Sequence, residues 1–312
     1  MDIDYLLFLQ HIRQVTGGVF DEFIACITTY GEELVLMMIV AAIYWCVDKK
    51  QGVYTMLTWG TGRLVNGFLK ITACVYRPWI RDPRIVPVKS AMDTATGYSF
   101  PSGHVTSATA VYGSLATNKK ITKVLRVLLV MAIVLVAFSR NYLGVHTPQD
   151  VVVGALSTLV IVFSVRWILR KVEEKPGLDI WVLIIGLALN IAVIIYAANK
   201  SYPMDYNEAG KLIVKPAKMI KDTYKGCGFS MAVLIGWFVD RRWLKYEVQG
   251  SIMQRISAYV IGMLGYFLVI YVGMQFMPDG TLGAVLGRFI RVIYVMLIVP
   301  ACISYGNRVR GS

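Results

Sequence analysis

An all-α, polytopic membrane helical bundle is the fold this sequence predicts, and three observations predict it. Of 312 residues, 56% are hydrophobic and 16% charged, with a mean hydropathy of +0.58. That is too apolar for an ordinary soluble chain and too long for a single anchor. Apolar runs of spanning length recur from residue 32 to residue 305. The 32 Lys and Arg set against 19 Asp and Glu, a net charge of +13, fall mostly in short clusters between those runs. That distribution argues against a nucleic-acid surface and fits cytoplasmic loops facing anionic head groups.

Taken in order, residues 5–30 mix Leu, Phe and Ile with Gln10, Arg13, Asp21 and Glu22, which suits a helix lying in the membrane interface. About nine spans follow, near 32–47, 51–76, 102–117, 124–141, 148–170, 179–198, 227–244, 256–277 and 284–305. The acidic start, Met1 to Tyr5, lacks the basic front of a secretory signal, so the first span is expected to stay in the mature protein. Lys171 to Gly177 is a charged Pro/Gly linker. It divides the chain into an N-terminal interfacial segment (1–31), a helical core (32–170) and further C-terminal membrane helices (171–312).

Orientation follows from the basic clusters. Lys49-Lys50, Lys119-Lys120-Lys123-Arg126, Arg166-Arg170-Lys171-Lys175, Arg241-Arg242-Lys245 and Arg308-Arg310 share one side if nine spans cross, and that side should be cytoplasmic. The 77–101 connection, the 142–147 junction and the 199–226 connection then face outward. The last opposes the rule with six lysines, a charge expected to meet anionic lipid. Cys26, Cys46, Cys74, Cys227 and Cys302 include no CxxC pair and fit core packing, with no Cys74–Cys227 bridge expected. No His/Cys/Asp/Glu group has metal-ligand spacing.

Three stretches carry polar chemistry at the outward ends of spans. Lys70 and Arg77 lie seven residues apart, about 10 Å along one helical face, and Pro78 turns Arg77 out of the helix. Pro101-Ser102-Gly103-His104 offers a helix cap, a close backbone approach and a histidine beside free N–H groups. Ser139-Arg140 is followed by His146 and Asp150, where Thr147 and Pro148 can start the next helix. Taken singly, snorkelling cations and helix caps explain each of them.

In order and spacing, however, Lys70-x6-Arg77-Pro78, Pro101-Ser102-Gly103-His104 and Ser139-Arg140-x5-His146-x3-Asp150 together resemble the tripartite signature of the type-2 phosphatidic acid phosphatase superfamily. The resemblance covers roughly residues 50–165 and departs at no signature position. It implies that His146 attacks phosphorus and becomes a phosphohistidine, that Asp150 orients the His146 ring, and that His104 is the acid and then the base. It further implies that Lys70, Arg77, Arg140, Ser102 and the Gly103 N–H hold the phosphate oxygens, with no cofactor and no metal. The implied partner is a membrane lipid phosphate: polyprenyl pyrophosphate, then phosphatidic acid or a related lipid. Two rivals use the same residues, a lipid-phosphate transporter or flippase without chemistry and a phosphotransferase to an alcohol. Haloperoxidases share the signature but are typically soluble.

Two further expectations concern neighbours of the signature. Arg63, a helical stripe below Lys70, is expected to face the bundle interior with Asn66 and to pair with Glu32 or Glu33. The connection from Trp79 to Phe100 is expected to be a solvated loop or a lid over the phosphate.

Overall fold

The computed structural model describes residues 2–311, leaving out the side chains of Met274 and of residues 308–311; the expected Arg308-Arg310 cluster thus lies outside the described residues. Among them, regular structure is helical, apart from an isolated bridge between Tyr206 and Leu212. In chain order the helices are α1 (Asp2–Val15), α2 (Asp21–Thr29), α3 (Glu33–Ala42), α4 (Lys49–Ala73), α5 (Pro78–Arg81), α6 (Lys89–Met92), α7 (Gly103–Ala108) and α8 (Ser114–Ala116). Then come α9 (Lys123–Tyr142), α10 (Pro148–Glu174), α11 (Leu178–Asn199), α12 (Pro216–Val239), α13 (Ile252–Tyr271), α14 (Gly280–Ile293) and α15 (Val299–Gly311). Local chemistry explains the boundaries. Thr122 caps α9 by accepting from Leu125 N–H (3.2 Å), and Ser251 with Gln254 forms a full capping box on α13.

Five helical segments are long and apolar enough to cross a bilayer: α9, α10, α11, α13, and the run from Gly280 to Asn307. The pair α2 and α3 makes a sixth if it is one span bent by 47°. Nine are not shown, and the physical reason is composition. Helix α4 has 25 residues but carries Lys49, Lys50, Arg63 and Lys70. The expected span 102–117 is broken into α7, a π-helical turn (Thr109–Gly113) and α8; its fourteen residues reach about 21 Å, short of a hydrocarbon core of about 30 Å. Helix α12 begins earlier than expected and places Lys218, Lys221, Asp222 and Lys225 in its first half.

The chain divides into two compact units. The first comprises residues 1–36, 65–162 and 199–220, and the second residues 37–64, 163–198 and 221–312. In the first, α1, α2 and α7 pack on α9. Helix α1 exposes Tyr5, Phe8, Ile12 and Val15 at helical spacing, while its other face is tied down. Gln10 donates to Arg84 O and accepts from Val86 N–H, Arg13 donates to Val86 O and Tyr142 O, and Asp2 pairs with Arg81 at 2.9 Å. The 77–101 connection is therefore packed, not loose. Val88, Ala91 and Ala95 join Tyr142, Leu143 and Val145 in a buried cluster, with Val88 N–H donating to Leu143 O at 3.0 Å. In the 199–220 segment, Asp205 accepts from Tyr76 OH at 2.6 Å and Met219 is buried.

The second unit is built on aromatics. Trp45 Nε1 donates to Val295 O (2.9 Å), Tyr246 OH to Trp45 O (2.6 Å), and Trp59 meets Phe229 edge to face at 4.9 Å. Buried Asp240 pairs with Lys49 (2.8 Å), and buried Asp179 with Arg241 and Arg242. The Arg63 guanidinium lies over the Phe229 ring at 5.2 Å, facing the protein interior as expected. All five cysteines are free thiols.

Candidate active site

The start of α10 builds the centre of the first unit. Pro148 opens the helix. Thr147 and Asp150 cap it reciprocally, with Asp150 N–H donating to Thr147 Oγ1 (3.4 Å) and Thr147 N–H to Asp150 Oδ2 (2.8 Å). That same carboxylate oxygen stands 3.2 Å from His146 Nδ1, and both side chains are buried. Capping the helix and contacting the His146 ring thus fall to one residue. The preceding turn is tight: Val145 and His146 N–H both donate to Arg140 O at 3.2 Å, Gly144 has φ +73°, and Asn141 Nδ2 donates to His146 O at 2.9 Å.

Arg77 closes the other side of the ring. Its Nη1 lies 2.9 Å from His146 Nε2 and donates to Val145 O at 2.9 Å, while Nε and Nη2 donate to Gly97 O and Thr96 O, each at 3.1 Å. A guanidinium only donates, so Nε2 accepts and the ring proton sits on Nδ1, toward Asp150. Burial, and next the charge of Arg77, hold the His146 ring well below the ordinary histidine range. It is neutral at pH 7, with the Nε2 lone pair directed at a cation. Burial pushes Arg77 down to about 10, which leaves it protonated at that pH.

Residues 98–104 supply the rest. Ser102 N–H donates to Asp150 O (2.9 Å), and a Cβ at Gly154 would stand 3.1 Å from Ser102 O, so α10 lies directly against this stretch. Lys70 Nζ donates to the carbonyls of Tyr98, Ser99 and Pro101 at 2.9–3.2 Å. Asn66 Nδ2 donates to Pro101 O and Thr106 Oγ1. Gly103 is the first residue of α7, with His104 beside it. Arg140 is fully buried and donates from Nη1 to Thr28 Oγ1 at 2.8 Å. Its Nε and Nη2, together with Ser102 Oγ and His104 Nε2, are buried without a hydrogen-bond partner. Buried polar atoms are usually satisfied. A guanidinium edge, a hydroxyl and an imidazole nitrogen left over in the signature stretches suit a phosphoryl group.

Four neighbours of the signature were not expected at the site: Ser99, Asn141, Thr28 and Glu32. Ser99 Oγ donates to Asp150 Oδ2 and lies 3.3 Å from His146 Nδ1. Glu32, expected as a partner of Arg63, faces His104 at 4.0 Å. Asn141 adjoins Arg140, a signal that was available; Ser99 and Thr28 meet partners 51 and 112 residues away, which no local pattern reveals. Ser99→Ala should lower kcat about tenfold with KM held, as expected for the loss of one buried hydrogen bond that orients the pair. Steady-state kinetics of this variant check it.

A helical integral membrane protein whose buried His–Asp pair is flanked by guanidinium groups is the class that this fold and site define. Residues 51–173 match the PAP2 superfamily, and residues 224–303 match the transmembrane extension of PAP2 superfamily phosphatases. Over 147 residues the chain is 30% identical to phosphatidylglycerophosphatase B of Bacillus subtilis (strain 168), an overlap covering 45% of this chain and 68% of that protein. The chain belongs to the PAP2 superfamily, among its membrane lipid phosphatases. No solved structure gives a significant match.

Proposed function

We propose that the chain hydrolyses a lipid phosphomonoester or pyrophosphate, without metal, through a phosphohistidine at His146. The observation that carries this reading is the neutral His146 ring between Asp150 and Arg77, with unsatisfied donors on Arg140 and Ser102. The phosphate enters between Arg77 and His146 Nε2. Arg77, Arg140, Ser102 Oγ and the Gly103 N–H hold its non-bridging oxygens, and Lys70 adds charge from the 98–101 carbonyls. Nε2 forms the P–N bond as the P–O bond to the leaving group breaks. His104 gives its proton to that oxygen, and Asp150 stabilises the His146 imidazolium. Water then attacks the phosphohistidine, losing its proton to His104. Arginine and lysine charge does here what a bound cation does in other phosphatases.

For the substrate, the similarity to phosphatidylglycerophosphatase B of Bacillus subtilis favours phosphatidylglycerophosphate over polyprenyl pyrophosphate. The match of residues 224–303 to a phosphatase extension gives the C-terminal helices a place in a phosphatase and so weakens the transporter reading. We also infer nine crossings, with α4 and α12 turning their polar residues inward and the short, buried 103–116 run completing its crossing through flanking residues shielded inside the protein. The core is 32–170, followed by accessory helices 171–312; α1 lies in the interface, and the site faces outward from a bacterial plasma membrane. The lysines of 199–226 meet anionic lipid there.

Phosphate release in detergent with excess chelator, across phosphatidylglycerophosphate, phosphatidic acid, sphingoid phosphate and polyprenyl pyrophosphate, tests this reading. Release from at least one lipid at an unchanged rate with chelator is expected. Release that needs a divalent cation, or none from any lipid, would contradict it.

A further inference from the structure

Glu32 belongs neither to the signature nor to the matched residues 51–173 and 224–303, yet its carboxylate faces the histidine that the proposed function makes the acid. Glu32 Oε1 stands 4.0 Å from His104 Nε2, the buried nitrogen with no hydrogen-bond partner. The approach is held by the fold. Tyr30 O accepts from Tyr112 OH at 2.8 Å, and Tyr112 lies eight residues beyond His104 on the same helical run. At Gly31 a Cβ would stand 3.1 Å from His104 Cβ, 3.2 Å from His104 O and 2.9 Å from Val136 Cγ1. The turn between α2 and α3 is therefore pressed onto α7 and α9, and it carries one carboxylate to the ring.

That charge answers a conflict within the site. Burial disfavours a charged His104 ring, and the charged groups acting on it are Arg140 from α9, Arg77 from the loop before α5, and Glu32 from the α2–α3 turn. Both arginines are needed for phosphate, and both oppose the imidazolium that a general acid has to be.

We propose that Glu32 is the positioning residue of the acid–base histidine: its carboxylate stays ionised and holds the proton on His104 against the two arginines. The proton leaves from His104 Nε2 to the leaving-group oxygen as the P–O bond breaks. It is replaced from the water that attacks phosphohistidine, and Glu32 neither gains nor loses one. The inference rests on the proposed function.

The test is the pH dependence of kcat/KM for wild type, Glu32→Gln, Glu32→Asp and His104→Gln, on a lipid phosphate and on an aryl phosphate. Losing an opposite charge at this distance should move the alkaline limb in Glu32→Gln down by about one pH unit. KM should stay within about twofold, Glu32→Asp should restore part of the shift, and the loss of kcat should shrink on the aryl phosphate, whose leaving group needs little protonation. An alkaline limb that His104→Gln removes but Glu32→Gln leaves in place overturns the role of Glu32 alone. A limb that survives in His104→Gln overturns the acid assignment and this inference with it. Glu32→Asp, which keeps the charge, separates a folding defect from the electrostatic effect.

Discussion

Alanine at position 146 stops phosphate release, with kcat falling about 10⁴-fold or more, because the atom that attacks phosphorus is gone and no neighbour can replace it. Asp150 is turned to the ring's Nδ1 side, the Ser99 hydroxyl is committed to Asp150, and Arg77 and Arg140 cannot act as nucleophiles. The phosphate cradle survives, so a non-hydrolysed lipid phosphate should still bind His146→Ala with an affinity near that of wild type. Binding by calorimetry alongside phosphate release separates the two effects. This pairing also distinguishes the enzyme from a carrier, since transport would persist in a variant that binds but cannot react.

The second large effect is expected from Asp150→Asn. Asp150 Oδ2 receives the Thr147 N–H at 2.8 Å and the Ser99 hydroxyl, and it faces His146 Nδ1. All three meet that one oxygen, so an asparagine with its oxygen there still accepts from Thr147, Ser99 and the Nδ1–H, which preserves the helix start and the tautomer. The negative charge that stabilises the His146 imidazolium as it forms is gone, and a loss of about 10²- to 10⁴-fold in kcat is expected. KM should change little, because Arg77, Arg140 and Ser102 are untouched. Steady-state kinetics check the prediction, and thermal unfolding in detergent shows whether the fold is retained.

Much of this site was legible because its residues sit at fixed spacings on helix ends. His146 and Asp150 are one turn apart across a Thr-Pro helix start, and Ser102, Gly103 and His104 open the next helical run. Their arrangement follows from local geometry plus one packing event, α10 against residues 101–104. The residues that escaped, Ser99, Thr28 and Glu32, act through contacts between distant segments, where a serine or glutamate looks like any other. Nine spans are not shown for a related reason. Lys70, Arg63 and Asn66 lower the apolar character of α4 because they are used inside the protein, and a hydropathy pattern cannot distinguish an inward lysine from one that ends a span. The connection between residues 77 and 101 looked solvated because it is polar, yet Val88, Ala91 and Ala95 pack it onto the turn that carries His146.

The central claim is that His146 carries the phosphoryl group between the two half-reactions, and rapid quenching of the enzyme with a radiolabelled lipid phosphate tests it most directly. The account predicts a protein-bound label that is stable in base, lost in acid, localised to the peptide containing His146, and absent in His146→Ala. Turnover at the wild-type rate with no label on His146, or label retained in the alanine variant, would contradict it.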